Sequence, residues 1–331
     1  MSIHPDRPIA IYHEHPDWFR PLFRELEHRG VPFVRLDAAH HRFEPGRPRP
    51  PYALLFNRMS PSAWRRGAGH TIFYTLQYLD YLESSGVRVV NGTRAFLTEI
   101  SKVRQLGLLG SLGLPFPRAT AIHDPRQAPA AATGLRFPVV VKPNVGGSGA
   151  GIRRFETARA LRAAADEGTL DLGLDQTALV QEFLPAESSR IVRVETLGGR
   201  YLYGIRVYTT GESFDLCPAD ICQGTDGAEL ERAACPVDAP RNGLRVEGYT
   251  PPAEIVRDVE RIVAAAGIDI GGVEYLIDAR RGDHYFYDVN ALSNFVADAP
   301  RVVGFDAFAR LADYLVAEAE SAVLAAAAEV G

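Results

Sequence analysis

The chain has 331 residues, of which 46% are hydrophobic and 23% charged, as expected for a soluble globular protein with two or three packed subdomains. The net charge of −5 argues against a surface that coats nucleic acid, which would need a basic excess. The sequence shows no apolar run of about 18 residues and no signal-peptide pattern at its start. We therefore expect a cytoplasmic protein that binds neither nucleic acid nor membrane.

Short apolar segments that alternate with an amphipathic segment predict a parallel α/β domain over residues 1–95. A helix is expected over 18–29 and ends at Gly30. The strands are expected at 7–12, 31–37, 52–58 and 87–91. The order of strand, helix and strand is typical of a parallel layer.

A second unit, residues 96–182, has the pattern of a small lid subdomain. TRAFLTEISKVRQLGLLGSLG predicts one helix over 93–113. A buried strand over 137–143, a glycine-rich turn, a helix over 156–168 and a strand over 178–184 follow.

The third unit, residues 183–331, begins with an antiparallel pair of strands joined by two glycines. The stretch 209–250 has no clear periodicity, and its length indicates a functional loop. Further strands are expected at 271–279 and 284–290, with helices over 252–267 and 305–329. The predicted fold class is α/β with α+β subdomains.

Only two of the 36 basic residues are lysines, Lys102 and Lys142, and the rest are arginines. Lysine offers a compact ammonium group on a flexible stem, which can follow a phosphate oxygen, whereas arginine offers a wide planar fork. The retention of these two lysines favours a role for both in nucleotide binding. The alternative is that both survive by chance on a solvated face.

A glycine-rich run begins four residues after Lys142, at the end of a predicted buried strand. Glycine permits positive φ angles and close approach, so its backbone amides can surround phosphate oxygens. The order differs from that of a Walker loop, because the lysine precedes the glycines. A simple mobile turn is the alternative. The candidate phosphate-binding residues are Gly146, Gly147, Ser148 and Gly149.

Two adjacent predicted strands each project an acid, Glu274 and Asp288. Asn290 shares a face with Asp288, because side chains of a strand alternate with a period of two. Two carboxylates and an amide oxygen are hard ligands, which suit Mg²⁺ bound to nucleotide phosphates. A solvated strand end is the alternative for either acid taken alone.

Four segments carry a resemblance to a known superfamily: SKVRQLGLLGSLGLPFP, FPVVVKPNVGGSGAGI, ALVQEFLP and FYDVNALSNF. In order and spacing they resemble the ATP-grasp superfamily, and most of all its ribosomal-protein glutamate ligase (RimK-like) branch. The resemblance covers about residues 95–315, and residues 1–95 resemble only the general preATP-grasp domain. It implies an ATP-grasp fold with a lid and a C-terminal antiparallel-sheet subdomain.

The resemblance also implies roles for individual residues. Lys102 and Lys142 would hold the ATP phosphates, and the glycine loop would close over them. Arg193 would face the phosphates or the acyl phosphate. Arg206 would help to neutralise the same charge, with a solvated arginine as the alternative. A hinge would read adenine through the Glu182 carbonyl and the Leu184 N–H, with an ordinary core strand as the alternative. It would consist of Gln181, Glu182, Phe183 and Leu184.

The sequence departs from the superfamily pattern at two places. The usual order is aspartate on the first metal strand and glutamate on the second, whereas here Glu274 precedes Asp288. We expect binding of Mg²⁺ or Mn²⁺ to survive with altered reach. The acid that would cap the ribose hydroxyls aligns with Ile191, and Glu187 is a candidate substitute.

Substrate recognition is predicted less sharply. Arg58 is the last residue of the third predicted strand, where open α/β sheets present binding residues, and it could pair with a substrate carboxylate. A solvated loop arginine is the alternative. Asn294 is a second candidate substrate residue, and the loop with Asp220 could line an acceptor pocket. Three cysteines lie in the same loop without metal-site spacing, namely Cys217, Cys222 and Cys235.

The resemblance implies an ATP-dependent carboxylate–amine or carboxylate–thiol ligase that forms an acyl phosphate and releases ADP. We expect an amide bond between a small carboxylate and an amine acceptor, which could be an amino acid, a peptide or a protein tail. The rival interpretations are a small-molecule kinase on the same scaffold and a catalytically silent nucleotide-binding module. The sequence leaves homo-oligomerisation open.

Overall fold

Three β-sheets, each from a separate stretch of the chain, organise the protein. A computed structural model describes residues 3–146, 151–208 and 245–328. Over these ranges the strands form a parallel four-stranded sheet, an antiparallel four-stranded sheet and an antiparallel five-stranded sheet. This arrangement confirms the predicted fold class.

The N-terminal sheet is parallel, with the strand order β2-β1-β3-β4. Its strands are β1 (Ile9–His13), β2 (Phe33–Asp37), β3 (Leu54–Arg58) and β4 (Val89–Val90). Two helices cover its two faces, α1 (Arg20–His28) and α2 (Gly69–Ser84). The sequence analysis did not predict α2.

Alternation along β1 explains why both faces of this sheet are covered. Ile9 and Ile11 belong to the same buried cluster as Phe23 and Leu26 of α1. Ala10 and Tyr12 belong to the cluster that includes α2. A strand with two buried faces reads as a continuous apolar run, as this one does.

Two helices were predicted as one. The chain forms α3 (Thr93–Glu99) and α4 (Lys102–Ser111) with a break between them. The Ser101 side chain accepts a hydrogen bond from the backbone N–H of Arg104 and so caps α4. The single helix predicted over 93–113 is therefore wrong, and the break places Lys102 in the first turn of a new helix.

The second sheet is small, with the strand order β5-β8-β6-β7. Helices α5 (Ala128–Ala131) and α6 (Ala158–Asp166) pack on one face, where Val139, Val141 and Val180 meet Leu161. The opposite face carries Lys142 and Gln181, because alternate residues point to opposite sides. Its strands are β5 (Ala119–Ile122), β6 (Val139–Pro143), β7 (Arg153–Phe155) and β8 (Ala178–Glu182).

The third sheet has the strand order β11-β10-β9-β12-β13, with β13 at an edge. Helix α7 (Ala253–Ala266) covers one face, and α8 (Ala299–Val303) follows the last strand. The final helix, α9 (Ala307–Ala328), returns to pack against α1. The strands are β9 (Arg190–Leu197), β10 (Arg200–Tyr208), β11 (Val246–Gly248), β12 (Ile270–Ile277) and β13 (His284–Asn290).

No helix in the described part of the chain combines the length and apolar character needed to cross a bilayer.

Asn91 joins the N-terminal sheet to the C-terminal sheet. Its side chain donates to the carbonyl oxygens of Ile270 at 2.8 Å and Ala291 at 2.5 Å. Its Oδ1 accepts from the N–H groups of Asp269 at 2.9 Å and Ile270 at 3.1 Å. The residue is 1% exposed and has a φ of 55°, a left-handed conformation that asparagine tolerates. These four bonds fix the position of β4 against β12.

We predict that Asn91→Ala lowers the free energy of unfolding by about 2–4 kcal/mol, because it leaves buried backbone groups without partners. Urea denaturation of the full chain measures the loss. Gln176→Ala is the matched control, because Gln176 also has a positive φ, of 52°, but is exposed. Equal losses in the two variants would contradict the role given to the Asn91 carboxamide.

Candidate nucleotide and metal site

Two ammonium groups and a carboxylate from three parts of the fold meet beside β13. Lys102, at the start of α4, donates from Nζ to Asp288 Oδ1 at 3.1 Å. Lys142 on β6 is 4% exposed and interacts electrostatically with both groups. The structure thus brings together the two lysines predicted to bind phosphate and one predicted metal ligand.

Burial makes the charged form of Lys142 unfavourable in free energy. Burial, together with the nearby Lys102, lowers the pKa of Lys142 to about 7, and Asp288 only partly opposes this shift. Within the described residues, the Lys142 side chain forms no hydrogen bond or ion pair. A bound anion would favour its charged form, so the position suits a phosphate ligand.

Asn144, directly after β6, connects the second sheet to the start of α4. Its Oδ1 accepts from Ser101 Oγ at 3.1 Å and from the Val103 N–H at 2.9 Å. Its Nδ2 donates to Asp175 Oδ2 at 2.6 Å. These bonds fix the relative positions of Lys102 and Lys142. Asn144 was not among the predicted site residues, although it lies two residues after Lys142.

The two predicted metal strands are direct neighbours. Glu274 on β12 is paired in register with Asp288 on β13, and Gly272 is paired with Asn290. Direct pairing places both acids on one face. The strand has a bulge at Tyr287, whose hydroxyl donates to Glu274 Oε2 at 2.7 Å. Asn290 Nδ2 donates to Asp288 Oδ2 at 3.1 Å. The predicted placement of the three side chains on one face is what the register gives.

Arg193 lies between two buried acids. Its Nε donates to Glu195 Oε1 at 2.5 Å, and its Nη1 donates to Glu274 Oε1 at 2.9 Å. The guanidinium group occupies space over Gly272, where a Cβ atom would come within 2.6 Å of it. The sequence analysis did not identify Glu195, which the spacing Arg-x-Glu along β9 could have indicated. Arg193 thus holds Glu274 in place.

Arg206 lies on the other face of this sheet. It pairs with Val192 on β9, which pairs in turn with Tyr275 on β12. Arg193 pairs with Glu274. Directly paired residues of antiparallel strands point to the same face, and neighbours along a strand point to opposite faces. Arg206 and the predicted metal ligands are therefore on opposite faces.

The contacts of Arg206 agree with this placement. Its guanidinium carbon lies 3.8 Å from the centre of the Tyr249 ring, and its Nη1 lies 3.6 Å from Glu247 Oε1. Arg206 therefore lies away from the predicted metal ligands, and its role in neutralising the reacting phosphoryl group stays a prediction. Strand parity decides which face Arg206 occupies. The spacing of residues in the sequence cannot give this parity for strands that are far apart.

The donor set around Asp288 fits a hard divalent cation. Burial alone would raise the pKa of Asp288, but Lys102 and Lys142 hold it below its usual value, so the carboxylate is charged. Burial raises the pKa of Glu274, although Arg193 opposes that shift. Arg193 and Tyr287 each donate to a different Glu274 oxygen, and a carboxylate oxygen can bind more than one partner. Asn290 adds an amide oxygen, and such ligands suit Mg²⁺.

The predicted adenine hinge has one unsatisfied polar side chain. Gln181 is fully buried, and both polar atoms of its carboxamide have no hydrogen-bond partner within the described residues. A buried unsatisfied amide is unfavourable, so this one favours a ligand with donors and acceptors. Glu182 Oε1 accepts from the Arg136 N–H at 2.9 Å, Phe183 N–H donates to the Pro138 carbonyl, and Leu184 is buried.

The two residues considered for ribose recognition differ in environment. Ile191 is buried and has no polar group to offer a hydroxyl. The Glu187 carboxylate accepts from Arg190 Nη2 at 2.8 Å. The substitution of Glu187 for the missing acid stays a prediction.

Arg58 and Asn294 are in direct contact across 236 positions of the sequence. Arg58 Nη2 donates to Asn294 Oδ1 at 2.7 Å and also to the Ser293 carbonyl. Arg58 is 2% exposed, and its guanidinium carbon lies 4.6 Å from the centre of the Phe19 ring. The alternative of a solvated loop arginine is therefore wrong.

Part of the predicted site falls outside the described residues. Gly146 is described and begins the glycine-rich segment. The rest of the predicted phosphate loop, the candidate pocket acid and the cysteines lie outside: Gly147, Ser148, Gly149, Asp220, Cys217, Cys222 and Cys235.

Comparison with characterised proteins gives partial sequence similarity. No family model matches the chain. A D-alanine–D-alanine ligase of Ectopseudomonas mendocina is 32% identical over 119 residues, which are 35% of this chain and 37% of that protein. A D-alanine–D-alanine ligase B of Xanthomonas campestris pv. campestris is 26% identical over 216 residues, which are 62% and 61%. The chain thus spans less than two thirds of these relatives.

Comparison with solved structures covers nearly the whole chain. The ATP-grasp ligase PsnB, complexed with a minimal precursor, aligns with 95% of this chain and all of its own, at a TM-score of 0.65 and 21% identity. A RimK-domain ATP-grasp protein of Sphaerobacter thermophilus gives 0.64 at 19% identity, with 93% and 98% covered. D-cycloserine synthetase DcsG gives 0.66 at 15% identity, with 94% and 99% covered.

These three TM-scores are nearly equal, so assignment to the RimK-like branch stays a prediction. The chain therefore has the fold of these ATP-grasp structures.

Proposed function

We propose that the protein is an ATP-dependent carboxylate–amine ligase. A substrate carboxylate attacks the γ-phosphorus of ATP, and ADP leaves. An amine then attacks the acyl phosphate, an amide bond forms and inorganic phosphate leaves. The observation that carries the proposal is the meeting of Lys102, Lys142 and Asp288 beside a second acid, Glu274.

The residues of the chain act by binding and by balancing charge. Lys102 and Lys142 would hold the phosphates, together with the segment that begins at Gly146. Gln181 would bond the edge of the adenine. No covalent nucleophile is required, because positioning and electrostatic stabilisation supply most of the catalysis in phosphoryl transfer.

Asp288, Asn290 and Glu274 would hold Mg²⁺, or Mn²⁺ in its place. When bound, the ion would act as a Lewis acid and neutralise charge on the phosphate oxygens. Arg193 is assigned a supporting role, because its guanidinium group is bonded to Glu274 and Glu195. It would keep Glu274 ionised and oriented, which modifies the expectation that it contacts the phosphates directly.

We further propose that Arg58 and Asn294 form part of the substrate-binding region. They lie where the carboxyl end of β3 meets the segment after β13. PsnB has been solved with a precursor peptide, which supports a peptide or protein tail among the amine acceptors considered for this chain. Our proposed limits of the three units are residues 1–95, 96–182 and 183–331.

The rival functions predict different products. A kinase on the same scaffold would leave the phosphoryl group on its product, and a silent module would bind nucleotide without turnover. The relatives include carbon–nitrogen ligases such as D-alanine–D-alanine ligase. Ligation is therefore the better supported of the three.

We predict that the protein, given ATP, Mg²⁺ and pools of amino acids and short peptides, releases ADP and free phosphate in equal amounts. Release should require a carboxylate and an amine together. Hydroxylamine should trap the acyl phosphate as a hydroxamate, which mass spectrometry detects. ADP without free phosphate would indicate a kinase, and no ADP from any pool would favour the silent module.

We predict that Lys142→Arg lowers turnover by about 100-fold or more, because a planar fork cannot take the place of a compact ammonium group in a buried site. Release of phosphate under saturating ATP measures the loss. Arg153→Lys is the control, because Arg153 is exposed on the neighbouring strand β7. Near-normal turnover in Lys142→Arg would remove Lys142 from the phosphate site.

We predict that ATP binding takes up a proton at pH 8. In the free protein the pKa of Lys142 is lowered to about 7, so the group is mostly neutral at pH 8, and the phosphates would restore its charge. Affinity for ATP should therefore fall as pH rises above 7, by up to about tenfold per pH unit.

Calorimetry at pH 8 in two buffers with different ionisation enthalpies measures this proton uptake. Lys142→Met should bind ATP more weakly and without the uptake. Equal heats in both buffers for the unaltered protein would show that Lys142 does not gain its proton from ATP binding.

A further inference from the structure

Glu99 is a buried carboxylate that the sequence motifs do not identify. It is the last residue of α3 and is 7% exposed. Its Oε2 accepts from the N–H of Ala291 and from the N–H of Leu292 at 3.3 Å. These two amides directly follow Asn290, so Glu99 contacts the chain at the end of the predicted metal strand.

The position of Glu99 is unfavourable for an acid in three respects. A carboxylate at the C-terminal end of a helix opposes the helix dipole. Burial raises the pKa of Glu99 to about 7, and Asp288 adds to this shift, while Ala291 and Lys102 oppose it. A neutral side chain would avoid these costs. Acids with a strongly shifted pKa cluster at functional sites, which makes Glu99 a candidate for a role beyond packing.

The free edge of β13 explains what Glu99 can do. Among the residues that the structure describes, this strand is at the edge of its sheet, so one row of its backbone groups has no partner strand there. Gln105 of α4 bonds the Val289 N–H at 3.2 Å and the Val289 carbonyl at 2.9 Å. Glu99 bonds the next two amides after Asn290. The backbone on both sides of Asn290 is thereby fixed from outside the sheet.

The same short segment also holds Asp288. Lys102 follows Glu99 by three residues and donates to Asp288 Oδ1. Residues 99–102 therefore contact residues 288–292, which include two of the predicted metal ligands, at two points. One contact is to the side chain of Asp288, and the other is to the amides after Asn290. Loss of either contact would free one end of residues 288–292.

We propose that Glu99 is a positioning residue that fixes the orientation of Asp288 and Asn290 and so sets the affinity of the protein for Mg²⁺ in its nucleotide complex. The proposal rests on the proposed function, because it assigns Mg²⁺ to these side chains. Groups that orient metal ligands typically contribute a factor of about 10–100 in metal affinity.

The test is binding of ADP to the full-length protein, by calorimetry, across a Mg²⁺ titration. We expect Glu99→Ala to raise the half-saturating Mg²⁺ concentration by about 10–100-fold. ADP binding without Mg²⁺ should stay within about threefold of the unaltered protein. Glu99→Gln keeps an oxygen for both amides and should recover most of the Mg²⁺ affinity.

Glu260→Ala is the matched control. Glu260 also accepts from a backbone amide, that of Tyr201 at 3.0 Å, but it lies on α7 and bonds the start of β10. We expect no change in Mg²⁺ dependence for this variant. Where Glu99→Ala does not fold, Glu99→Asp provides the comparison, because its shorter arm keeps the charge but draws back from the amides.

Two results would overturn the proposal. One is an unchanged half-saturating Mg²⁺ concentration in Glu99→Ala, or in Glu99→Asp where that variant replaces it. The other is an equal loss of ADP binding with and without Mg²⁺, which would indicate general distortion. Failure of the proposed function is a distinct result, because the unaltered protein would then show no Mg²⁺-dependent binding of ADP.

Discussion

The ion pair between Lys102 and Asp288, beside the buried Lys142, is the interaction on which the rest of the site depends. Buried charges are stable only when other charges or hydrogen bonds compensate them. Here the compensating groups come from α4, which carries Lys102, from the second sheet, which carries Lys142, and from the third sheet, which carries Asp288. The site therefore exists only when this helix and these two sheets are packed together.

The packing that brings them together is partly polar. Asn91 bonds the N-terminal sheet to β12, and Asn144 bonds the lid to α4. Val145, next to the glycine-rich segment, belongs to the buried cluster that covers one face of the N-terminal sheet. The second sheet is thus packed, through the residue that follows Asn144, against the unit where we place the substrate.

The exchange of the two acids has a local consequence. Glu274, on the first metal strand, is bonded to Arg193 and to Tyr287, whereas Asp288 is the acid in contact with Lys102. Arg193 and Tyr287 stabilise a carboxylate whose pKa burial would otherwise raise further. The two acids therefore have different electrostatic environments, with Asp288 the more readily ionised.

The sequence by itself indicated most of the strands, the helices α1, α6, α7 and α9, the scarcity of lysine, and the pair of acids with Asn290 on neighbouring strands. These features depend on local periodicity and on residue type, which act over a few neighbouring positions. Only the tertiary structure decided the break before Lys102, the face occupied by Arg206, the contact of Arg58 with Asn294 and the bonds of Glu99 to the end of β13. The last three depend on strand register or on packing between residues far apart in sequence, and a one-residue change in parity places a side chain on the opposite face. The break combines the local cap by Ser101 with the distant bonds of Asn144 to Ser101 and Val103.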